Sequence, residues 1–209
     1  MGWLMSSSAI FSPAEGFDRA VALLRAGELV AFPTDTVYGV GALCWDDAAV
    51  ARLYVAKVRA LDKAIPILLA DIGDLALVAA KLSSTCFRLA ERFWPGPLTL
   101  VVPKAERVPL AVTAGGDTVA VRIPDLALAR SLIRAVAAPL ATTSANLSGA
   151  PSPVTAEQAA AQLGGAVAMI LDGGRCPGGT ASTVVDVTGP VPRILRPGPL
   201  TYEQIQSVL

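Results

Sequence analysis

The sequence predicts an α/β fold built on a twisted, open, mixed sheet with flanking helices. Three observations predict it. Short apolar runs alternate along the whole chain with longer segments whose apolar residues recur at helical spacing. Hydrophobic residues make up 53% of 209 and charged residues 16%, which supports a large core and excludes a disordered chain. No internal repeat and no linker interrupts the pattern, and the Gly/Pro-rich stretch 173–179 is too short to divide domains. The expected organisation is an N-terminal extension over 1–12 and one domain over 13–209.

The elements follow in order. Ser12-Pro13-Ala14-Glu15 reads as a capping box with proline in the first turn. Phe17, Ala20, Val21 and Leu24 then mark a helix, and Gly27 its end. Leu29 to Phe32 is a strand that runs into the loop Pro33-Thr34-Asp35-Thr36-Val37-Tyr38-Gly39. A helix is expected over 47–58, a strand over 65–69 and a helix over 85–93, closed by the breaker Trp94-Pro95-Gly96-Pro97. Strands are expected over 98–102 and 118–123, a helix over 127–136 and a strand over 140–143. A capping-box helix starts at Thr155, strands follow over 167–171, 183–187 and 193–195, and a helix covers 202–209.

Composition excludes whole classes of chemistry. The chain has no histidine, so no Ser-His-Asp or Cys-His machinery exists. Cys44, Cys86 and Cys176 form no C-x-x-C pair, which argues against zinc, and their number suits a reducing compartment. Seventeen acidic and seventeen basic residues cancel, so bulk charge predicts no nucleic-acid affinity. Met1 to Phe11 lacks a basic leader, and no apolar run reaches about 18 residues. A soluble cytoplasmic protein without membrane partners is expected.

Several segments are polar where a core needs no polarity. PTDTVYG (33–39) is either a ligand crevice at a strand end or a turn held by Thr and Asp side chains. Lys57, Arg59 and Lys63 either grip a polyphosphate or complement a helix dipole. Thr142-Thr143-Ser144-Ala145-Asn146-Leu147-Ser148-Gly149 offers donors to anionic oxygens or forms a local turn. Arg122 and Arg196, each at the end of an apolar run, are anion ligands or rim residues. The Gly-rich stretch 173–183 lacks the Walker order, and Gly39-x-Gly41-x-x-Cys44 fails as a dinucleotide fingerprint.

Taken together and in order, PTDTVYGVG, the Lys57-x-Arg59 pair, FWPGPLTLV, TVAVRIP, TTSANLSG, STVVDV and ILRPG resemble the YrdC-type threonylcarbamoyl-AMP synthase family. The resemblance runs from about Phe17 to Thr201 and points to the short, single-domain form. It implies a YrdC-like fold with a cationic cavity. It also implies an enzyme that joins L-threonine, bicarbonate (or CO2) and ATP into threonylcarbamoyl-AMP with release of pyrophosphate. That adenylate serves modification of adenosine 37 in tRNA. Mg2+ accompanies the ATP, with no organic cofactor and no metal ligand from protein side chains.

By the same resemblance, Thr34, Thr36, Arg122, Thr142 and Ser182 take the amino acid. Arg59, Lys63, Thr118, Ser144, Ser152 and Arg196 surround ATP, and Lys57, Arg59, Ser144 and Asn146 form the catalytic group. Proteins that receive the threonylcarbamoyl group, and an RNA contact, are the implied partners. This chain departs from the family in four places. Ala60 and Ala64 replace prolines, a histidine found in some members near Leu68 is missing, and Ala181 stands at an often polar position. The competing readings are a YrdC-like RNA-binding protein without synthase activity and a carbamoyl-adenylate module like that of hydrogenase maturation proteins.

Overall fold

The computed structural model of the protein describes residues 9–209. Residues 1–8 of the expected extension, and most of the segment read for a leader, lie outside the described residues. The strands are β1 (Ile10–Phe11), β2 (Val30–Phe32), β3 (Gly39–Leu43), β4 (Ile67–Leu68) and β5 (Leu98–Pro103), then β6 (Thr118–Arg122), β7 (Leu140–Ser144), β8 (Met169–Leu171), β9 (Thr183–Asp186) and β10 (Arg193–Arg196). The helices are α1 (Pro13–Arg25), α2 (Asp47–Lys57), α3 (Leu75–Val78), α4 (Ser84–Phe93), α5 (Leu110–Thr113), α6 (Ala127–Val136), α7 (Ala156–Leu163) and α8 (Tyr202–Gln206).

The ten strands among the described residues form one open mixed sheet in the order β1-β8-β2-β3-β7-β4-β6-β5-β9-β10. β8 runs parallel to β1 and β2, β4 to β6, and β5 to β9, while the other neighbours are antiparallel. Because side chains alternate along a strand, the sheet has two chemically distinct faces. Leu98, Leu100, Val119, Val121, Ala141 and Val185 point into one core, shared with buried residues of α2, α4 and α7. On the opposite face, Val30, Phe32, Leu68, Leu140, Met169 and Leu171 pack beneath α1 and α6. These two helices do not cover that face completely. Thr99, Ala120, Arg122, Thr142 and Val184 alternate with the first-core residues and line an open cavity instead.

Most expected elements are present, and the exceptions have physical causes. The segment 39–43 is a strand, β3, where the sequence reading placed the end of a loop and a failed glycine fingerprint. Its glycines sit opposite Ser144 and Thr142 in the β3–β7 register. A Cβ at Gly39 would lie 2.8 Å from Thr142 Cγ2, and one at Gly41 would lie 2.8 Å from Phe32 Cε1. These glycines therefore serve close packing rather than a phosphate turn. The capping box at Ser12 does not form: Ser12 Oγ donates to Glu15 Oε2 at 2.7 Å and caps no backbone amide. At α7 the Thr155 side chain accepts from Gln158 N at 3.3 Å, but Gln158 Oε1 reaches back to Val154 N instead of Thr155. Strand β1 and the single-turn helices α3 and α5 are too short to show a period in sequence.

Candidate functional site

The cavity holds about 310 Å³ and is lined by Thr34, Thr36 and Val37 of the 33–39 loop, by strand residues of the uncovered face, and by three arginines, Arg59, Arg122 and Arg196. A larger cavity of about 560 Å³ lies beside α4, but its walls are mainly Ile72, Phe87, Trp94, Pro95 and Ile123. Its arginine, Arg130, is already engaged with the Ala70 carbonyl and with Asp71. The smaller cavity is the one whose polar groups converge.

Arg122 closes β6 and is almost fully buried. Its Nε donates to Gly96 O at 2.9 Å, Nη1 to Thr36 Oγ1 at 2.9 Å and Nη2 to Asp35 Oδ1 at 2.7 Å. A guanidinium has five N–H groups. Three are therefore spent on fixing the plane, and one on each terminal nitrogen has no partner among the described residues. Burial lowers the Arg122 pKa, and the adjacent Asp35 carboxylate opposes that shift.

The 33–39 loop is built around hydroxyls. Thr34 Oγ1 donates to Val37 O at 2.7 Å and accepts from the amides of Thr36 and Val37. With its proton spent, Thr34 accepts from Thr36 Oγ1 at 2.9 Å. The Thr36 hydroxyl thus links Arg122 to Thr34 in one directed chain. The loop is held from outside by Tyr38, whose hydroxyl lies 3.0 Å from Asp172 Oδ1 and 2.7 Å from Gly174 O. Gly178 N and Gly179 N donate to the carbonyls of Asp35 and Thr36. A Cβ at Gly178 would come within 2.7 Å of Asp35 O, so this approach requires glycine.

Arg59 and Arg196 are held by neutral groups. Arg59 Nε donates to Lys63 O at 3.1 Å and Nη2 to Ala64 O at 2.8 Å. Tyr54 Oη also lies 3.1 Å from Lys63 O. These bonds pin the 59–64 loop, whose residues 60 and 64 are alanines. Arg196 Nη2 donates to Ser182 O at 2.8 Å and to Ser182 Oγ at 3.1 Å, and Ser182 Oγ lies 2.7 Å from Thr99 Oγ1. Among the described residues neither Arg59 nor Arg196 forms an ion pair. Burial lowers the Arg196 pKa first, and the charges of Arg122 and Arg59 add to that shift.

Eight of the residues singled out in the sequence therefore share this cavity: Thr34, Thr36, Arg59, Arg122, Thr142, Ser144, Ser182 and Arg196. Lys57, Lys63, Thr118, Asn146 and Ser152 are not on its wall. Lys57 is 1% exposed, and its ammonium donates to the carbonyls of Ser144 and Asn146. Burial, then the charge of Arg59, push its pKa down to about 8. Asn146 Nδ2 donates to Leu147 O at 2.8 Å and Ala150 O at 2.7 Å, closing the turn, while its Oδ1 is buried without a hydrogen-bond partner among the described residues. Lys63 and Thr118 are exposed.

Thr99 escaped the sequence reading, and Asp35 entered it only within the 33–39 crevice or turn, with no role of its own. Asp35 reads as an ordinary turn residue. Thr99 was legible as a polar position inside the apolar strand 98–102. Leu68 and Ala181 give the cavity an apolar side together with Pro66, Ala120 and Val184. The lining residues offer guanidinium and hydroxyl groups but no carboxylate, thiolate or imidazole. That donor set does not suit a divalent cation, and no group of three or more metal-ligating side chains occurs among the described residues.

Cys44, Cys86 and Cys176 are free and buried, and burial pushes the first two thiols up to about 12 and 11. No helix among the described residues is long and apolar enough to cross a membrane.

Comparison with known proteins places this arrangement. A Sua5/YciO/YrdC family model, described as "Telomere recombination", matches residues 22–198. The threonylcarbamoyl-AMP synthase of Pyrococcus abyssi is 46% identical over 190 residues, covering 91% of this chain and 56% of the relative. A putative threonylcarbamoyl-AMP synthase of Mycobacterium tuberculosis is 43% identical over 194 residues, covering 93% of this chain and 89% of the relative. The solved structure of P. abyssi Sua5 complexed with L-threonine superposes with a TM-score of 0.92 at 43% identity, over 96% of this chain and 60% of that one. E. coli YciO shares the fold, with a TM-score of 0.85 at 24% identity over 96% of this chain and 100% of that one. The chain spans 56% of the length of the P. abyssi and Bacillus subtilis synthases it matches. On the extent of the family match and on identities above 40%, the chain is a member of the Sua5/YciO/YrdC family.

Proposed function

We propose that this chain is an L-threonylcarbamoyladenylate synthase, which makes threonylcarbamoyl-AMP and pyrophosphate from L-threonine, bicarbonate or CO2, and ATP. The observation that carries the reading is Arg122. Three fixed bonds leave it two N–H groups without a partner among the described residues, on a side chain that lines a hydroxyl-rich cavity, and two such donors are what a carboxylate takes. The reading is supported by relatives named as synthases and by a structural neighbour solved with threonine.

The threonine amine attacks CO2, forming the carbamate N–C bond and releasing one proton. A carbamate oxygen then attacks the α-phosphorus of ATP, and the bond to the β-phosphate oxygen breaks as pyrophosphate leaves. No covalent enzyme intermediate and no histidine are needed. The chain's own task is to position the reactants and offset charge. Arg122 orients the amino-acid carboxylate, and Thr34, Thr36, Thr142 and Ser182 surround its polar atoms. Arg59 and Arg196 receive the phosphates, with Ser144 on the same wall. Each charge-assisted contact is worth about 1.5–3 kcal/mol.

Lys57 and Asn146 act through the backbone, holding the turn that presents Ser144. Lys63, Thr118 and Ser152 lie outside this constellation and join it only if the bound nucleotide extends beyond the cavity. Mg2+ enters with the nucleotide, as part of the substrate. The product would serve threonylcarbamoylation of tRNA adenosine 37 in the cytoplasm, through separate transfer proteins.

Pyrophosphate release by the purified chain, with and without L-threonine and bicarbonate, tests the reading. Release that needs both is the expected result. A folded protein that binds ATP yet releases none would overturn it and favour the RNA-binding alternative.

A further inference from the structure

The three arginines of the cavity are not electrostatically equal. Arg59 and Arg196 are held by backbone carbonyls and a serine hydroxyl and form no ion pair among the described residues, Arg59 feeling only the more distant charge of Asp62. Arg122 alone is paired with a carboxylate, Asp35, at 2.7 Å. The pair is secluded, with side chains 7% and 11% exposed. Asp35 is not itself on the cavity wall, so it acts on a guest through the charge of Arg122. It is fixed from two other directions. Its Oδ1 also accepts from Asp125 N at 3.0 Å, and its carbonyl accepts from Gly178 N at 3.0 Å.

We infer that Asp35 is a specificity-determining residue that sorts the two anionic substrates within one cavity, directing phosphate to Arg59 and Arg196 and reserving Arg122 for a singly charged carboxylate. The inference rests on the synthase reading for the identity of that carboxylate. The physical reason is Coulombic. A polyphosphate brings several negative charges and gains most at an uncompensated cation. At Arg122 it meets a guanidinium already neutralised by a fixed carboxylate, and it feels that carboxylate's repulsion. A zwitterionic amino acid carries no net charge, so it loses little to Asp35 and keeps the geometry of the two N–H groups. The device solves a problem built into the reaction. Two oxyanions must occupy adjacent subsites lined by the same kind of side chain, and ATP in the wrong subsite would exclude threonine.

Asp35→Asn tests the inference, because it removes the charge while keeping an acceptor for Asp125 N. The probe is inorganic pyrophosphate, followed by calorimetric titration. Pyrophosphate should bind Asp35→Asn about tenfold or more tightly than wild type, the scale of one charge-assisted contact. The gain should vanish in Asp35→Asn/Arg122→Met. Unchanged affinity in a folded Asp35→Asn protein, or a gain that survives loss of Arg122, would overturn the inference. A second measurement uses the wild type alone and covers the case of a variant that does not fold. Saturating pyrophosphate should leave L-threonine binding unchanged in the wild type, and displacement of threonine would overturn the sorting role. Wild-type protein that binds no threonine would count against the synthase reading instead, while the pyrophosphate comparison would still decide the role of Asp35.

Discussion

The ammonium of Lys57 and the backbone carbonyl of Asn146 are hydrogen-bonded across 89 residues of sequence, and the same ammonium also holds the carbonyl of Ser144. The last residue of α2 is thereby fastened to the turn that follows β7. Ser148 N donates back to Lys57 O at 3.0 Å, so the tie is made in both directions. A charge buried this deeply has a measurable titration.

Lys57 holds its proton with a pKa of about 8, against an ordinary 10.5. Between those values the unfolded chain binds the proton and the folded chain does not, so folding stability rises with pH across that window. Below about pH 8 the buried charge costs about 3 kcal/mol relative to a solvated lysine. Lys57→Met should remove this pH dependence, so its stability relative to wild type is constant below pH 8 and falls as pH climbs toward 10.5. Denaturant unfolding at pH 7, 8, 9 and 10 measures it. The rate of pyrophosphate release should fall above pH 8 in the wild type, as the turn loses its charged clamp.

Arg122→Lys keeps a cation but loses the fork and the bonds to Gly96 and Thr36. Threonine kcat/KM is expected to drop roughly 10- to 150-fold, the equivalent of one or more charge-assisted contacts. The KM for ATP should stay within about twofold. Steady-state kinetics with each substrate varied in turn separates the two, and equal damage to both would refute the assignment.

Arg59→Ala removes the proposed phosphate ligand and frees the carbonyls of Lys63 and Ala64. Two effects should appear together: at least a tenfold loss in kcat/KM for ATP, and faster protease cleavage after Lys63. Mass spectrometry of limited tryptic digests reads the second. A variant that loses activity with no change in cleavage would show that Arg59 does not hold the loop.

Val58 sits between these two cations with φ of 50°, in the left-handed region that β-branched residues avoid, and its side chain is 79% exposed. Asparagine tolerates this conformation and gives up no buried contact. Val58→Asn should stabilise the protein by about 0.5–1 kcal/mol, a rise in Tm of about 1–4 °C. Thermal unfolding checks it, and a lower Tm would mean that the valine makes a contact worth more than the strain.

Part of this site was legible in the linear chain because its cues are local. The period-2 pattern of 118–123 places Ala120 and Arg122 on one side and Val119 and Val121 on the other, and the sheet obeys it. β3 was missed because glycine has no side chain to carry a period, and its strand character comes from pairing with β2 and β7. Asp35 was given no separate role because an aspartate in a Thr-rich turn carries its own local explanation. Its partners Arg122 and Asp125 lie 87 and 90 residues away.

The alternation of apolar runs sufficed to establish an α/β sheet, since burial of a strand or helix stripe is a property of its own spacing. Motif order sufficed for the family. Spacing could not say which polar residues share one cavity, as Lys57 and Arg59 illustrate. They are two residues apart and identical in formal charge. Folding buries Lys57 under the 144–146 turn and brings Arg59 to the cavity wall, because the helix ends in a left-handed residue between them. A side chain's direction at such a cap is set by the segments that pack against it, and those are distant in sequence.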